Sequence, residues 1–166
     1  QFITNVFVYS PFEHVAAYGI EVTFDQSIIG VNAQIGTNGV EAGRDGFVSA
    51  VNNTEPGKLT IGGFDTNGTG PGERLHLLTI HWNALQAGTS ALDLTVNDLV
   101  DPKTRTIGFP TDVDSRVTVV DRILGDVNSD GSVDIVDALL VSHHYVGLKP
   151  KNFNAAVADV NKSGRI

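Results

Sequence analysis

Acidic and amide side chains recur at alternate positions in one short stretch in the last third of the chain. Asp126, Asn128 and Asp130 occupy positions 1, 3 and 5 of this stretch, and Gly131 follows at position 6. Alternate residues of a tightly curled loop can all direct oxygen atoms at one ion, and Ca²⁺ takes about six to eight such hard ligands. Glycine permits the sharp turn at position 6 because it lacks a Cβ. The spacing therefore predicts a calcium-binding loop.

The rest of the stretch supplies the remaining ligand positions. Ser132 stands at position 7, Asp134 at position 9 and Asp137 at position 12. This is the ligand spacing of a calcium loop of the EF-hand kind, with Asp in place of the usual Glu at position 12. The competing interpretation is a solvated acidic turn without an ion, and the number of matched positions favours the calcium loop.

The same pattern returns 33 residues further along the chain. An internal duplication of this kind is stronger support for a calcium loop than either copy alone. The second copy reaches only its eighth position, Ile166, so it has no closing carboxylate, and we expect a weak or empty site. Its residues Asp159, Asn161, Ser163 and Gly164 correspond to Asp126, Asn128, Asp130 and Gly131.

Two helices are predicted between the first loop and the second. Residues 138–146 form an apolar helical stretch that Gly147 and Pro150 bring to an end. Asp137, which enters this stretch, can serve both the ion and the N-terminus of the helix. A second, short helix is predicted over residues 152–157.

Composition and charge restrict the remaining classes of function. The chain of 166 residues has no cysteine, so neither disulfides nor a thiol nucleophile are available. Residues 1–121 hold 6 basic and 14 acidic residues, which disfavours a nucleic-acid partner. No apolar run approaches the roughly 20 residues that a membrane-spanning helix needs.

Before the first loop the chain reads as a series of short strands separated by Gly-rich turns. Tyr18, Ile20, Val22 and Phe24 alternate with smaller or polar residues, as in a half-buried strand. We therefore predict a mainly β chain, with an antiparallel β-sandwich over residues 1–121 and a small α-helical calcium-loop module over residues 122–166. Strands are predicted over residues 2–9, 18–24, 28–31, 47–51, 58–64, 74–82, 91–96 and 116–120, with a loop at 68–72.

Several polar residues allow sharper hypotheses that we weigh against ordinary structural roles. His143 and His144 are adjacent on the first helix and therefore diverge, which favours surface or interface residues over zinc ligands. His76 and His81 are an odd number of residues apart on one strand, so we expect them on opposite faces. Asp98, Asp101, Asp112 and Asp114 could include a glycosidase acid–base pair, but exposed loop acids are favoured, and no catalytic residue is assigned.

A calcium loop followed by one helix and repeated after a short linker resembles a dockerin module, of the type I kind found in cellulosome-type scaffolding proteins. The resemblance covers about residues 124–166 and rests on the Gly-Asp-Val-Asn-Ser-Asp-Gly opening and the Ala-Asp-Val-Asn-Lys-Ser-Gly-Arg-Ile ending. It implies a first Ca²⁺ held by Asp126, Asn128, Asp130, the main-chain oxygen of Ser132, Asp134 (directly or through water) and Asp137. A second site would begin with Asp159, Asn161, Ser163 and the main-chain oxygen of Arg165.

The same resemblance suggests where a partner would bind. Many dockerins carry a Ser-Thr pair for partner selection at positions 10 and 11 of the loop, where this chain has Ile135 and Val136. The change implies a more apolar contact, although packing of these two residues in the core is an equally good interpretation. Ser142 and His143, on the helix that follows, complete the predicted partner-binding set.

The predicted sandwich has a resemblance of its own, to cohesin domains. It rests on Tyr18-Gly-Ile-Glu-Val-Thr-Phe-Asp-Gln-Ser-Ile-Ile29 and on the later strand segments 72–80, 87–94 and 116–119, in that order. Gln26 replaces the Pro that is usual in this family. A carbohydrate-binding module of the family-3 kind shares the sandwich pattern.

Together the two resemblances imply a secreted or cell-surface protein that is not an enzyme. Its function would be calcium-dependent cohesin–dockerin assembly of polysaccharide-degrading or cell-surface complexes. The partners would be cohesin- or dockerin-bearing proteins, including a second copy of this chain, with Ca²⁺ as the cofactor. The alternative is a carbohydrate-binding module in which calcium is only structural.

Overall fold

The computed structural model describes residues 1–161 and 163–166, and the chain divides into two compact units, Gln1–Val119 and Val120–Ile166. The first unit contains the strands and the second contains the helices. The strands are β1 (Phe2–Ser10), β2 (Val15–Phe24), β3 (Ile29–Val31), β4 (Val40–Ala42), β5 (Ala50–Asn52), β6 (Lys58–Thr69), β7 (Gly72–Ala84), β8 (Gly88–Val100) and β9 (Ser115–Val119). The helices are α1 (Ile135–Tyr145) and α2 (Ala155–Ala158).

The first unit is an antiparallel sandwich of two sheets, which confirms the predicted fold class. In sheet A, β7 lies between β1 on one side and the short strands β3 and β4 on the other. Sheet B has the order β5-β6-β2-β8-β9. The two sheets enclose a single apolar core.

Alternating side chains of the central strands build this core. Tyr18, Ile20 and Val22 of β2 are buried, as their period-2 spacing predicts. Trp82 of β7 is fully buried, and its indole N–H donates to Thr4 Oγ1 of the neighbouring β1 (2.8 Å). This hydrogen bond satisfies the one polar atom of the ring, which allows the largest side chain to lie at the centre of the sandwich.

The histidines of β7 correct one prediction from the sequence. The register between β1 and β7 shifts at Val6/Phe7, and the inserted residue Leu77 is buried together with Leu78. Two consecutive inward side chains reverse the alternation, because a β-bulge adds one residue to one strand only. His76 and His81 therefore lie on the same face of sheet A, and the expectation of opposite faces was wrong.

Most other differences concern the lengths of elements. β6 and β7 extend into the predicted loop at 68–72, so that only Gly70 and Pro71 separate them. β8 continues to Val100, four residues beyond the alternating apolar pattern that predicted it. In β8 a register shift against β2 interrupts the alternation after Val96, although Leu99 is again in the core, so periodicity ends this strand too early.

In the second unit both helices begin at a side-chain cap. α1 starts at Ile135, three residues before the predicted start, because Asp134 is its N-cap: the Asp134 carboxylate accepts from Val136 N–H (2.8 Å). Asp137 thus lies inside the first turn of the helix. Asn154 caps α2 in the same way, which moves its start from residue 152 to Ala155. Gly147, with φ of 84°, follows the end of α1 in the left-handed conformation expected of it.

Candidate metal centre and the helix that follows it

Asp126 is the residue around which the first loop curls. Its carboxylate is 7% exposed and accepts the backbone N–H groups of Asp130 (Oδ1, 3.1 Å) and Gly131 (Oδ2, 2.9 Å). Asn128 Oδ1 accepts a second contact from the Asp130 N–H (2.9 Å). Gly131 has φ of 94°, a conformation that side chains with a Cβ rarely adopt. Hydrogen bonds thus connect positions 1, 3, 5 and 6 of the loop.

Asp137 closes the loop from its far end. Its carboxylate is 2% exposed and accepts the N–H groups of Val127 (2.8 Å) and Asn128 (3.2 Å) on Oδ1 and of Asp134 (2.9 Å) on Oδ2. The Asp134 N–H, followed by those of Asn128 and Val127, holds the pKa of Asp137 below its ordinary value, because these donors favour the ionised form. The carboxylate is therefore a fixed anion where the loop meets α1.

The remaining predicted ligands of the first loop lie along its outer rim. Asp130 accepts from the Ser132 N–H on Oδ1 (2.9 Å) and from Asn128 Nδ2 on Oδ2 (2.7 Å). Asp134 faces α1 as its cap. Hydrogen bonds inside the loop hold these groups, so their oxygen atoms are positioned by the polypeptide itself.

The donor set is the one that Ca²⁺ prefers. Every predicted ligand of the first loop presents a carboxylate, amide or main-chain oxygen, and Asp126 and Asp137 are buried acids. Neither forms an ion pair with a Lys, Arg or His side chain among the residues that the structure describes. Buried anions without a counter-charge are costly, and a hard divalent cation would supply that charge.

The acidic side chains nevertheless do not yet surround a common ion position. In residues 1–161 and 163–166, no group of three or more His, Cys, Asp or Glu side chains is close enough to hold a metal ion as it stands. The carboxylates are spread along the loop, each turned to main-chain donors. The residues thus have the right chemistry and order, and their side chains would have to converge on the ion.

The second loop repeats the contacts of the first. Asp159 accepts from Ser163 N–H on Oδ1 (3.0 Å) and from Gly164 N–H on Oδ2 (2.6 Å), and Asn161 Oδ1 accepts from Ser163 N–H (3.1 Å). These are the counterparts of the three contacts around Asp126. The main-chain oxygen of Arg165, a predicted ligand, accepts from Ser163 Oγ instead (3.4 Å). Asp159 therefore organises the second loop as Asp126 organises the first.

The helix after the first loop exposes apolar side chains. Ile135 is 80% exposed, Val136 45% and Leu139 53%. Of the two interpretations left open for Ile135 and Val136, the structure therefore favours a surface role over the core. Leu139 was not among the predicted contact residues, although its spacing of four from Ile135 on a helix could have identified it.

The other two predicted contact residues are less open. Ser142 is exposed, but its hydroxyl donates to the Ala138 carbonyl within the helix (2.8 Å). His143 is half-buried. The neighbouring His144 stacks on Phe153, with ring centroids 4.4 Å apart, which assigns it to packing within the second unit.

Two of the acids considered for a glycosidase pair have structural roles. Asp101 is buried and held by the main chain and guanidinium of Arg105, and Asp114 accepts from Leu94 N–H (2.9 Å). Among the Tyr and Trp residues, Tyr18 and Trp82 are buried in the sandwich, whereas Tyr9 and Tyr145 are exposed.

Comparison with known proteins finds a similar family or similar solved structures for each unit. The model of the dockerin type I domain family matches residues 124–166. The cohesin CaCohA2 from Clostridium acetobutylicum has a TM-score of 0.54 and 20% identity, covering 75% of this chain and 82% of its own. A non-cellulosomal cohesin from Archaeoglobus fulgidus has a TM-score of 0.57 and 14% identity, covering 72% and 80%. The sixth cohesin of Acetivibrio cellulolyticus scaffoldin B, solved in complex with a Cel5 dockerin, has a TM-score of 0.56 and 12% identity, covering 72% and 88%.

No curated protein sequence matches the chain significantly. At identities of 20% or less, the solved structures show the fold of the sandwich, and both resemblances drawn from the sequence are confirmed at that level. Type I dockerin domains typically bind calcium, and dockerin-containing proteins are generally extracellular. No helix within the described residues has the length and apolar character to cross a bilayer. The chain thus joins a β-sandwich with the fold of cohesins to a segment, residues 124–166, that matches the dockerin type I domain family.

Proposed function

We propose that this chain is a calcium-dependent assembly protein whose helix α1 docks on a cohesin-type sandwich of a partner. The observation that carries the proposal is the exposed apolar face of Ile135, Val136 and Leu139, placed directly after the first loop. Large exposed apolar side chains that lie together mark an interaction surface. Their position on the first turns of α1 links the surface to the state of the loop.

The first loop would control this surface through Asp134 and Asp137. Asp134 caps α1, and Asp137 lies in its first turn while accepting two N–H groups from the start of the loop. Bound Ca²⁺ would supply the charge that offsets the acidic residues of the loop. The side chains of Asp126, Asn128, Asp130, Asp134 and Asp137, with the Ser132 carbonyl, would hold it, so that the loop and the first turn of α1 are fixed together.

The sandwich would provide the complementary binding surface for a dockerin helix. On the outer face of sheet B, Gly19 of β2 lies opposite Gly62 of β6, and a Cβ built on Gly62 would meet no atom within 4 Å. The absence of side chains at this point leaves a shallow face on which a helix can lie close to the strands. We infer that this face receives a dockerin helix, from a partner or from a second copy of the chain.

We further propose that the assemblies are extracellular complexes that degrade polysaccharides or are attached to the cell surface. The support for this is the dockerin type I match, since proteins with such domains are generally extracellular. A panel of purified polysaccharide-degrading enzymes that carry dockerins would test this part, because the sandwich should bind at least one of them.

The central proposal is tested by calorimetric titration of the whole chain with purified type I cohesins, in Ca²⁺ and in chelator. Binding should require Ca²⁺, and Ile135→Asp should weaken it at least tenfold while leaving the calcium titration unchanged. Leu148→Asp, the same change at another exposed apolar residue of the second unit, is the matched control and should stay within about threefold. Equal cohesin binding in Ca²⁺ and in chelator, or by the Ile135→Asp variant, would contradict the proposal.

A further inference from the structure

Three asparagines of the chain begin the tripeptide Asn-X-Ser/Thr, in which X is not proline: Asn52, Asn67 and Asn161. This tripeptide is the acceptor for N-linked glycans, which are attached to surface loops of secreted proteins. It is short and recurs by chance, so the structure around each asparagine decides whether a glycan can be attached there. Asn161 is a predicted calcium ligand whose Oδ1 accepts from Ser163 N–H (3.1 Å), so the second loop already uses its side chain.

Asn67 lies in a bulge of β6. Between two paired positions, four residues of β6, 65–68, face the single residue Ala16 of β2. β5, the other neighbour of β6, pairs only with residues 60–62. A stretch of extra residues on one strand leaves the ladder and projects from the sheet. An enzyme can therefore reach Asn67 without breaking the pairing on either side of β6.

The base of this bulge is fixed, and its tip is open. Asp65 Oδ1 accepts from the N–H groups of Asn67 (2.8 Å) and Gly68 (3.2 Å). Gly68, with φ of 68°, lies so close to β2 that a Cβ built on it would be 2.9 Å from the Val15 carbonyl oxygen. The side chain of Asn67 is exposed, and among the described residues none forms a hydrogen bond with its amide group. The loop thus presents Nδ2 of Asn67 to solvent.

The tripeptide that begins at Asn52 has a different environment, although Asn52 is also exposed. Asn52 is the last residue of β5 and pairs with Thr60 of β6. Its Oδ1 accepts from both the N–H (3.0 Å) and the hydroxyl (2.8 Å) of Thr54. The two side chains that an enzyme must recognise are thus bonded to each other. Access would also require β5, which is only three residues long, to leave the edge of sheet B.

We propose that Asn67 is the N-glycan acceptor of the folded sandwich and that Asn52 is not. The co-substrate is an oligosaccharide joined to a polyprenyl diphosphate, and an oligosaccharyltransferase catalyses the exchange. Asn67 Nδ2 forms a bond to C1 of the first sugar, while the bond from C1 to the diphosphate oxygen breaks. Nδ2 loses one proton, and the polyprenyl diphosphate leaves. No group is oxidised or reduced.

Modification in the cell rests on the proposed extracellular location, because N-linked glycans occur on surface loops of secreted proteins. The ability of Asn67 to act as an acceptor rests only on the geometry of the bulge, and transfer in vitro measures it directly. Failure of cohesin binding and failure of glycan transfer are therefore separate results.

The test incubates the folded chain with a purified single-subunit oligosaccharyltransferase and a polyprenyl-diphosphate oligosaccharide. The enzyme is one that modifies Asp-X-Asn-X-Thr segments, the sequence of residues 65–69. The intact mass should increase by one glycan, and glycopeptide mapping should locate that glycan on Asn67. A synthetic peptide of residues 63–71, treated in parallel, measures transfer to the same sequence without the fold.

Thr69→Val removes the hydroxyl of the tripeptide but keeps the β-branched shape, and should reduce transfer at least tenfold. Thr54→Val, the same change in the other tripeptide, is the matched control and should leave transfer within about twofold. Asn67→Gln should abolish the mass increase and serves as a second variant, should Thr69→Val fail to fold.

A single glycan on Asn67 that both Thr69→Val and Asn67→Gln remove supports the proposal. The absence of transfer to the folded chain would overturn it, whether or not the peptide is modified. Occupancy of Asn52 equal to or greater than that of Asn67 would also overturn it, because the bulge would then confer no advantage on Asn67.

Discussion

Asp137 and Val127 join the two ends of the first loop: Val127 N–H donates to Asp137 Oδ1 at 2.8 Å, and both residues are buried. Asp137 belongs to the first turn of α1, whereas Val127 is the second residue of the loop. A single carboxylate therefore connects the start of the loop to the start of the helix. The order of the loop and the order of the helix should be gained and lost together.

The first prediction concerns this connection. Asp137→Ala removes the acceptor of three backbone N–H groups in a buried position, and unsatisfied buried donors destabilise the fold that contains them. We expect the variant to lose helical circular dichroism and tight calcium binding together. Asp121→Ala, an exposed acid of the same unit outside the loop, should leave both unchanged. Retention of the full helical signal by Asp137→Ala would show that the loop and helix are independent.

The second prediction compares the two loops. Asp126→Ala should abolish high-affinity calcium binding, because it removes the carboxylate around which the first loop curls. Asp159→Ala removes the equivalent carboxylate of the second loop, whose contacts with Ser163 and Gly164 are exposed, and should leave the first site within about threefold. Isothermal titration of the unmodified chain and of both variants measures this difference. A high-affinity site that survives Asp126→Ala but not Asp159→Ala would contradict the expectation.

The loops illustrate what the sequence alone can predict. Asp at position 1 and Gly at position 6 specify a local structure, and the two copies of the repeat form the same hydrogen bonds around Asp126 and Asp159. Local hydrogen bonds determine such a loop, so neighbouring residues contain the necessary information. The predicted start of α1, residue 138, is three residues too late, because the prediction assigns Asp134 only the role of a ligand. An Asp three residues before a second Asp is also a capping signal.

Features that depend on distant residues were harder to predict. The bulge at Leu77 arises from the register between β1 and β7, which periodicity within β7 cannot reveal, and it decided the face of His76. The gap in the sandwich that is lined by residues 4–9 and 107–113 likewise joins segments about a hundred positions apart in the sequence.

The third prediction concerns acid stability of the sandwich. The N–H of Arg105, with its guanidinium and the Lys103 N–H, holds the pKa of Asp101 below its ordinary value. Because the folded pKa is depressed, this group contributes stability that is present above the unfolded pKa, near 3.9. That contribution is lost as the pH falls through the lower folded pKa.

Asp101→Asn should therefore destabilise the sandwich at pH 7, and its free energy of unfolding should decrease less steeply than that of the unmodified chain below about pH 4. Urea denaturation followed by the fluorescence of Trp82, the single tryptophan, reports on the sandwich specifically. Asp93→Asn on the exposed face of β8 serves as the control and should leave the acid limb of the curve unchanged. An identical acid limb for Asp101→Asn and the unmodified chain would refute the assignment.

The fourth prediction uses two adjacent glycines of β6 that differ in their surroundings. A Cβ on Gly63 would lie 2.3 Å from Tyr18 Cζ and 2.6 Å from the Phe47 carbonyl oxygen, whereas a Cβ on Gly62 would meet nothing within 4 Å. Tyr18 is buried, and its hydroxyl donates to that carbonyl, so the ring cannot move aside without losing its partner.

Gly63→Ala should destabilise the sandwich by about 1–3 kcal/mol, as overpacking of a core does. Gly62→Ala should be neutral or slightly stabilising in the same urea titration, because it restricts the unfolded chain at a position with free space. Equal stability of the two variants would mean that Tyr18 does not pack against β6 as described.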